Sequence, residues 1–233
     1  MTLRLLSYNV HKCVGLDRRR RPARIAEVLA DAGADIAVLQ EVDHRLGARP
    51  AALPREMAER ATGLRLLPFA LSPVSLGWHG QAMMATPAIT PLYIRRIALP
   101  GLEPRGAILA ELDTPKGALR VIGVHLGLIG RYRRLQLAAI GAFLSHRPTM
   151  PTAVIGDFNE WSQRGGADGL GPGFHLHAPG PSFPAARPLA RLDRIAAGQG
   201  LHLVDIGTID RGAARSASDH LPIWARVSLS AAR

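Results

Sequence analysis

A chain of 233 residues can bury about 70–75% of its unfolded surface, so it needs no structural metal to fold, and the lone Cys13 excludes an internal disulfide and suits a reducing compartment. The formal net charge of +11 attracts polyanions, yet arginine outnumbers lysine 27 to 2 amid abundant Ala, Gly and Pro, a bias that composition explains as well as function does. No apolar run reaches membrane-spanning length and MTLRLLSYNVHK lacks the apolar core of a signal peptide, so a soluble, cytoplasmic protein is expected, with one domain over residues 1–233.

Leu3–Asn9 alternates little and reads as a strand buried on both faces. Asn9 stands where that strand runs out, where an amide can hold a metal-bound oxygen or a phosphate, or simply close a turn. The run Arg18–Arg21 reads as a solvated loop, and Pro22 opens a helix over Pro22–Ala32 with Ile25, Val28 and Leu29 on one stripe. Ile36–Glu41 is a second buried strand, and Glu41 at its end is a natural oxygen ligand for Mg²⁺. Pro54–Thr62 reads as a helix, Leu64–Leu71 as a strand, and Gln81–Thr86 as a short apolar segment. Tyr93–Leu99 and Ala107–Leu112 read as a hairpin with no visible catalytic group.

Leu119–His125 is the next strand, with His125 at its end, and a helix over about Arg131–His146 follows, carrying Arg131, Arg133 and Arg134. The chain is organised around Pro151–Trp161, PTAVIGDFNEW. Thr152–Ile155 read as a buried strand that Gly156 ends, with Asp157 and Asn159 on the turn beyond it. Taken alone, that turn is somewhat better explained as an Asx turn; the recurrence of polar residues at other strand ends reverses the odds. Ser162–Pro188 is a long Gly- and Pro-rich connection whose His175 and His177 bring nothing else of a zinc site. Asp193 lies between apolar neighbours in Leu189–Ile195, a partly buried carboxylate in need of a partner. Leu201–Ile206 and Ile223–Leu229 read as strands, and Asp219-His220 before the latter is a candidate metal ligand and base. The residues show no internal repeat and no linker.

The pieces SYNVH (Ser7–His11), LQEV (Leu39–Val42), GVHLG (Gly123–Gly127), GDFN (Gly156–Asn159), RLDRI (Arg191–Ile195) and SDHLP (Ser218–Pro222) occur in this order over nearly the whole chain. With them the chain resembles the endonuclease/exonuclease/phosphatase superfamily, the DNase I-like fold, and its short bacterial members in particular. The resemblance implies a four-layer α/β sandwich of two mixed sheets flanked by helices. It implies hydrolysis of a phosphate ester with Mg²⁺ or Mn²⁺. Carried over by position, Glu41 is the principal metal ligand, helped by Asn9 and Asp219. Asp157 and Asn159 orient the attacking water and the phosphate oxygens. His220 contacts the scissile phosphate or acts as a base, Asp193 fixes its tautomer, and His125 donates to a phosphate oxygen. Arg133 is the candidate substrate-binding cation.

Two departures stand out. His11 occupies a place that is often acidic in nuclease relatives, and the family's usual Gly-Asn-Ala-Ile-Leu-Ser-Arg appears here as Gly80–Thr86 with Gln81 for the Asn and no Arg. The expected activity is a phosphodiesterase on a small or flexible phosphate ester. Endonuclease and phospholipid phosphodiesterase activities are the alternatives within it, and a catalytically impaired polyanion-binding protein is the alternative outside it. Nucleic acid and anionic lipid stay open as partners, and no obligate protein partner is evident. Leu71–Trp78 is a candidate apolar lip, with core packing its more ordinary fate.

Overall fold

The computed structural model describes residues 2–162 and 167–230, so residues 163–166 of the Gly- and Pro-rich connection lie outside the described residues. The elements in chain order begin with β1 (Leu3–Asn9), α1 (Pro22–Ala32), β2 (Ile36–Gln40), α2 (Arg55–Thr62), β3 (Arg65–Leu66) and β4 (Ala82–Ala85). There follow β5 (Thr90–Ala98), β6 (Gly106–Thr114), β7 (Gly117–His125), α3 (Gly130–Ser145) and β8 (Thr152–Asp157). The chain closes with β9 (His175–His177), β10 (Asp193–Ala197), β11 (Leu201–Thr208), the single turn α4 (Ala214–Ala217) and β12 (Ile223–Leu229).

Two mixed sheets of six strands result, in the orders β11-β12-β1-β2-β4-β3 and β5-β6-β7-β8-β10-β9. The parallel pair of each sheet is central, β1–β2 in one and β7–β8 in the other, and the remaining pairings are antiparallel. α1 connects β1 to β2 as α3 connects β7 to β8. The backbone therefore repeats one pairing pattern twice, although the residues show no repeat.

The unbroken apolar runs of the central strands are explained by what covers them. Leu5 and Val38 of one sheet meet Val121 and Ile155 of the other in a core between the sheets. The opposite faces pack outward: Leu6 and Tyr8 against Ile25, Val28 and Leu29 of α1, and Ile122 and Val154 against Leu137 and Ile140 of α3. A strand buried on both faces has no polar side to alternate with. Each fully buried Leu or Ile contributes roughly 1.5–3 kcal/mol. This is the expected four-layer sandwich.

The expected strand Leu64–Leu71 contracts to β3. Pro68 has no N–H for the ladder, and the Phe69 N–H turns back to the Leu67 carbonyl at 2.8 Å. Within the connection expected to be loop, β9 forms as an edge strand on β10. The candidate lip divides: Leu76 is buried, Leu71 and Val74 are exposed, and the Trp78 ring lies against Gly106. No helix among the described residues is long and apolar enough to cross a membrane.

Candidate active site

Parallel neighbours bring their C-terminal ends to the same edge of a sheet, and that edge collects the polar residues. In β7–β8–β10 the register sets His125 opposite Asp157 and Asp157 opposite Asp193, one row of three titratable side chains across three strands. In the facing sheet Asn9 is opposite Gln40, with Glu41 next in the chain. The 218–220 loop is tied to the end of β1, because Ser218 Oγ donates to the Asn9 carbonyl at 2.7 Å. Gly156 makes the row possible: at φ +154 a Cβ there would lie 2.0 Å from the Val124 carbonyl oxygen, so only glycine lets β8 approach β7 this closely.

Asp157 is the hub. Its Oδ1 accepts the Asn159 N–H at 2.9 Å, which is the Asx turn. Its Oδ2 receives Asn9 Nδ2 at 3.1 Å from across the sandwich, with His125 Nε2 at 3.5 Å and His220 Nε2 at 3.8 Å. Burial and then the Asp193 charge push Asp157 up to about 6, against the pull of His220. His220 Nδ1 donates to Asp193 Oδ2 at 2.8 Å, and the same oxygen receives Ser182 Oγ at 2.6 Å. Burial disfavours a charged His220, but Asp193, Asp157 and Asp219 outweigh it and hold the imidazolium up to about 10. Phe183 covers the ring, with centroids 5.0 Å apart. Burial, followed by the Arg105 charge, takes His125 well below 6.5, so that ring is neutral at pH 7.

Glu41 carries the cationic side of the site. Its Oε2 pairs with the Lys12 ammonium and its Oε1 lies 3.3 Å from Arg45 Nη2. Burial opposes ionisation, but positive charge at His125, Lys12 and Arg45 takes the carboxyl down to about 2. With His125 neutral, Lys12 and Arg45 carry that effect at pH 7. No group of three His, Cys, Asp or Glu close enough to cage a metal is present among the described residues. One firmly ionised carboxylate that already holds an ammonium, with amide and carboxylate oxygens on neighbouring loops, fits a hydrated hard cation such as Mg²⁺ or Mn²⁺ better than a dehydrated soft one.

The remaining expected residues sit as follows. Asn159, at φ +49, donates Nδ2 to the Leu126 carbonyl at 2.9 Å and so anchors the turn to the end of β7. Asp219 is one-third exposed at the rim, with Oδ1 3.6 Å from His11 Nδ1. Arg133, expected to touch substrate, is instead buried, and its guanidinium is committed to Glu160 (3.0 Å) and the Leu128 carbonyl (2.7 Å). The geometry thus gives it a scaffolding contact in place of the expected one. Gln81 is buried and donates Nε2 to the Gly106 carbonyl, joining the two sheets where the family's Asn was expected. Lys12, Ser182, Phe183 and Arg105 also stand at the site, although no motif in the sequence marks them. Lys12 had a signal, as one of two lysines in an arginine-dominated chain and the direct extension of SYNVH. Arg105 comes from the hairpin in which no catalytic group was visible.

The family model described as Endonuclease/Exonuclease/phosphatase family matches residues 6–220. YbhP of Escherichia coli (strain K12), itself uncharacterized, is 32% identical over an alignment of 168 residues that covers 66% of this chain and 64% of that protein. The matched stretch thus spans less than two thirds of YbhP. Among solved structures, D. rerio TDP2 complexed with single strand DNA product is similar with a TM-score of 0.76 at 17% identity, over 97% of this chain and 99% of that one. The Bacteroides thetaiotaomicron VPI-5482 mannosyl-6-phosphatase Bt3783 has a TM-score of 0.74 at 16% identity, over 97% and 100% of the two chains.

Proposed function

The chain belongs to the endonuclease/exonuclease/phosphatase family, and from that premise we propose that it is a divalent-metal-dependent phosphodiesterase. The observation that carries the reading is the convergence of Asn9, His125 and His220 on Asp157 Oδ2, beside a carboxylate already paired with cations. Glu41, with Asn9 and Asp219, would hold the cation, which when bound supplies charge neutralisation to the phosphate oxygens.

Asp157, near 6, is ionised at pH 7 yet basic enough to take a proton from a water attacking phosphorus. The phosphorus–oxygen bond to the leaving group then breaks. His220 is an imidazolium across that range, so it serves as a fixed positive donor rather than as a base. The 3.8 Å gap from its Nε2 to Asp157 is too long for a hydrogen bond and leaves that N–H for a phosphate oxygen. Neutral His125 adds a donor without adding charge. The D. rerio TDP2 structure is a complex with a single strand DNA product and Bt3783 is a mannosyl-6-phosphatase, which supports phosphate esters as the substrate class and leaves nucleic acid and small esters both represented.

The test is turnover of bis(p-nitrophenyl) phosphate with Mn²⁺, with EDTA and in Glu41→Ala. Metal-dependent turnover lost in the variant is expected. Absent or metal-independent turnover, over a panel of diesters and monoesters, would overturn the reading. The Lys12–Glu41 pair favours a second reading, a polyanion-binding protein without catalysis, and the same panel separates the two.

A further inference from the structure

A cavity of about 180 Å³ opens on the Glu41–His125 side of the site, and its cationic walls are Lys12, Arg45, Arg49 and Arg105. Asp157, Asp193 and His220 do not line it. Three carboxylates do, and each is already engaged. Glu41 is shared by Lys12 and Arg45. Asp43 is buried and accepts the Leu76 and Gly77 N–H groups at 2.7 and 3.2 Å. Glu103 is held by Arg105 at 2.7 Å. Arg49 has no carboxylate within 4.0 Å among the described residues; its Nη1 meets His79 Nδ1 at 3.1 Å. Burial, then the Arg49 charge, lowers His79 below 6.5, so that ring faces the guanidinium uncharged.

The backbone singles out the same place. Lys12 (φ 53), Glu41 (φ 57), Arg49 (φ 52) and His79 (φ 49) are four of the eight non-glycine residues with positive φ among the described residues, and all four line this cavity. Left-handed conformations in such residues cost free energy and persist where a ligand-binding geometry is fixed by its surroundings.

We propose that this cavity binds a second anionic group of the substrate, a phosphate attached close to the scissile phosphodiester. The proposal rests on the phosphodiesterase reading and narrows it to diesters that carry an additional phosphate. Arginine is the fitting residue, because its planar fork pairs with two phosphate oxygens at once. Arg49, with no acid to satisfy it, is the principal contact, and Arg105 flanks it next to His125.

Two substrates test this: the p-nitrophenyl ester of thymidine 5′-phosphate, with and without a 3′-phosphate. Wild-type kcat/KM is expected to be about ten- to a hundredfold higher for the phosphorylated one, the worth of one or two charge-assisted hydrogen bonds. Arg49→Ala and Arg105→Ala should bring that ratio toward one. Equal turnover of the two substrates, with a ratio that neither variant changes, would overturn the proposal. If neither substrate is hydrolysed, the diester and monoester panel decides the phosphodiesterase reading, and calorimetry in EDTA still decides the cavity. Thymidine 3′,5′-bisphosphate should bind about tenfold tighter than thymidine 5′-phosphate to the wild type and not to Arg49→Ala; equal wild-type affinities would overturn the cavity itself.

Discussion

Asp193→Asn removes the charge that holds His220 as a cation while keeping the side chain's shape. His220 stands at about 10 against an ordinary 6.5. At about 1.4 kcal/mol per unit that gap is roughly 5 kcal/mol of preference for the imidazolium. Asp193 is its largest source, by charge and through the 2.8 Å hydrogen bond, and Asp157 and Asp219 add to it. An amide in that place also turns an N–H or a weaker acceptor toward Nδ1 and disturbs the ring's tautomer. The expected loss in kcat is about 10²–10⁴-fold, as for orienting carboxylates elsewhere. In a pH series of kcat on bis(p-nitrophenyl) phosphate, the wild type should decline only toward about pH 10, and the variant's decline should move toward neutral. Stability follows the same sign. A raised histidine pKa stabilises fully below about 6.5 and is lost as pH rises through about 10, so the urea midpoints of wild type and variant should draw together over that window. Unchanged kcat with an unchanged alkaline limb, in a variant whose circular dichroism is native, would refute the pairing.

Gly156→Ala places a methyl 2.0 Å from the Val124 carbonyl oxygen and should cost about 3 kcal/mol or more in urea denaturation; an unmoved midpoint would mean that β7 and β8 separate freely. Lys12→Met takes the ammonium off Glu41 and should tighten Mn²⁺ binding about tenfold by calorimetry, while weaker binding would show that the ammonium does not compete for that oxygen.

Elements with a clear apolar pattern were legible almost to the residue: β1, buried on both faces, α1 with its single stripe, and the alternating β12 fall at Leu3–Asn9, Pro22–Ala32 and Ile223–Leu229 as the sequence predicts. Short edge strands such as β9 were not, since three residues carry no period and depend on β10 for their partner. The ends of the central strands pointed to Asn9, Glu41, His125 and Asp157. Their meeting could not be read from spacing, because the His125–Asp157–Asp193 row is set by register between strands far apart in the chain. Arg133 shows the converse. An arginine on a helix after a strand-end histidine has the sequence signature of a phosphate contact, and only the position of Glu160 across the turn reveals where its fork goes. Ser182 and Phe183 reach the site from the long connection, where composition signals a loop but not which part of it returns to His220.

The most direct measurement is the pH–rate profile of Asp157→Asn beside wild type, with Mn²⁺ saturating and bis(p-nitrophenyl) phosphate as substrate. If Asp157 takes the proton from water, wild-type kcat rises through an acid limb set by its carboxyl, which burial and then the Asp193 charge raise above the ordinary carboxylate range. The variant should then be slower by about 10³-fold or more and lack that limb. A folded Asp157→Asn that keeps wild-type kcat and the same acid limb would contradict the assignment of Asp157 as the hub of the chemistry.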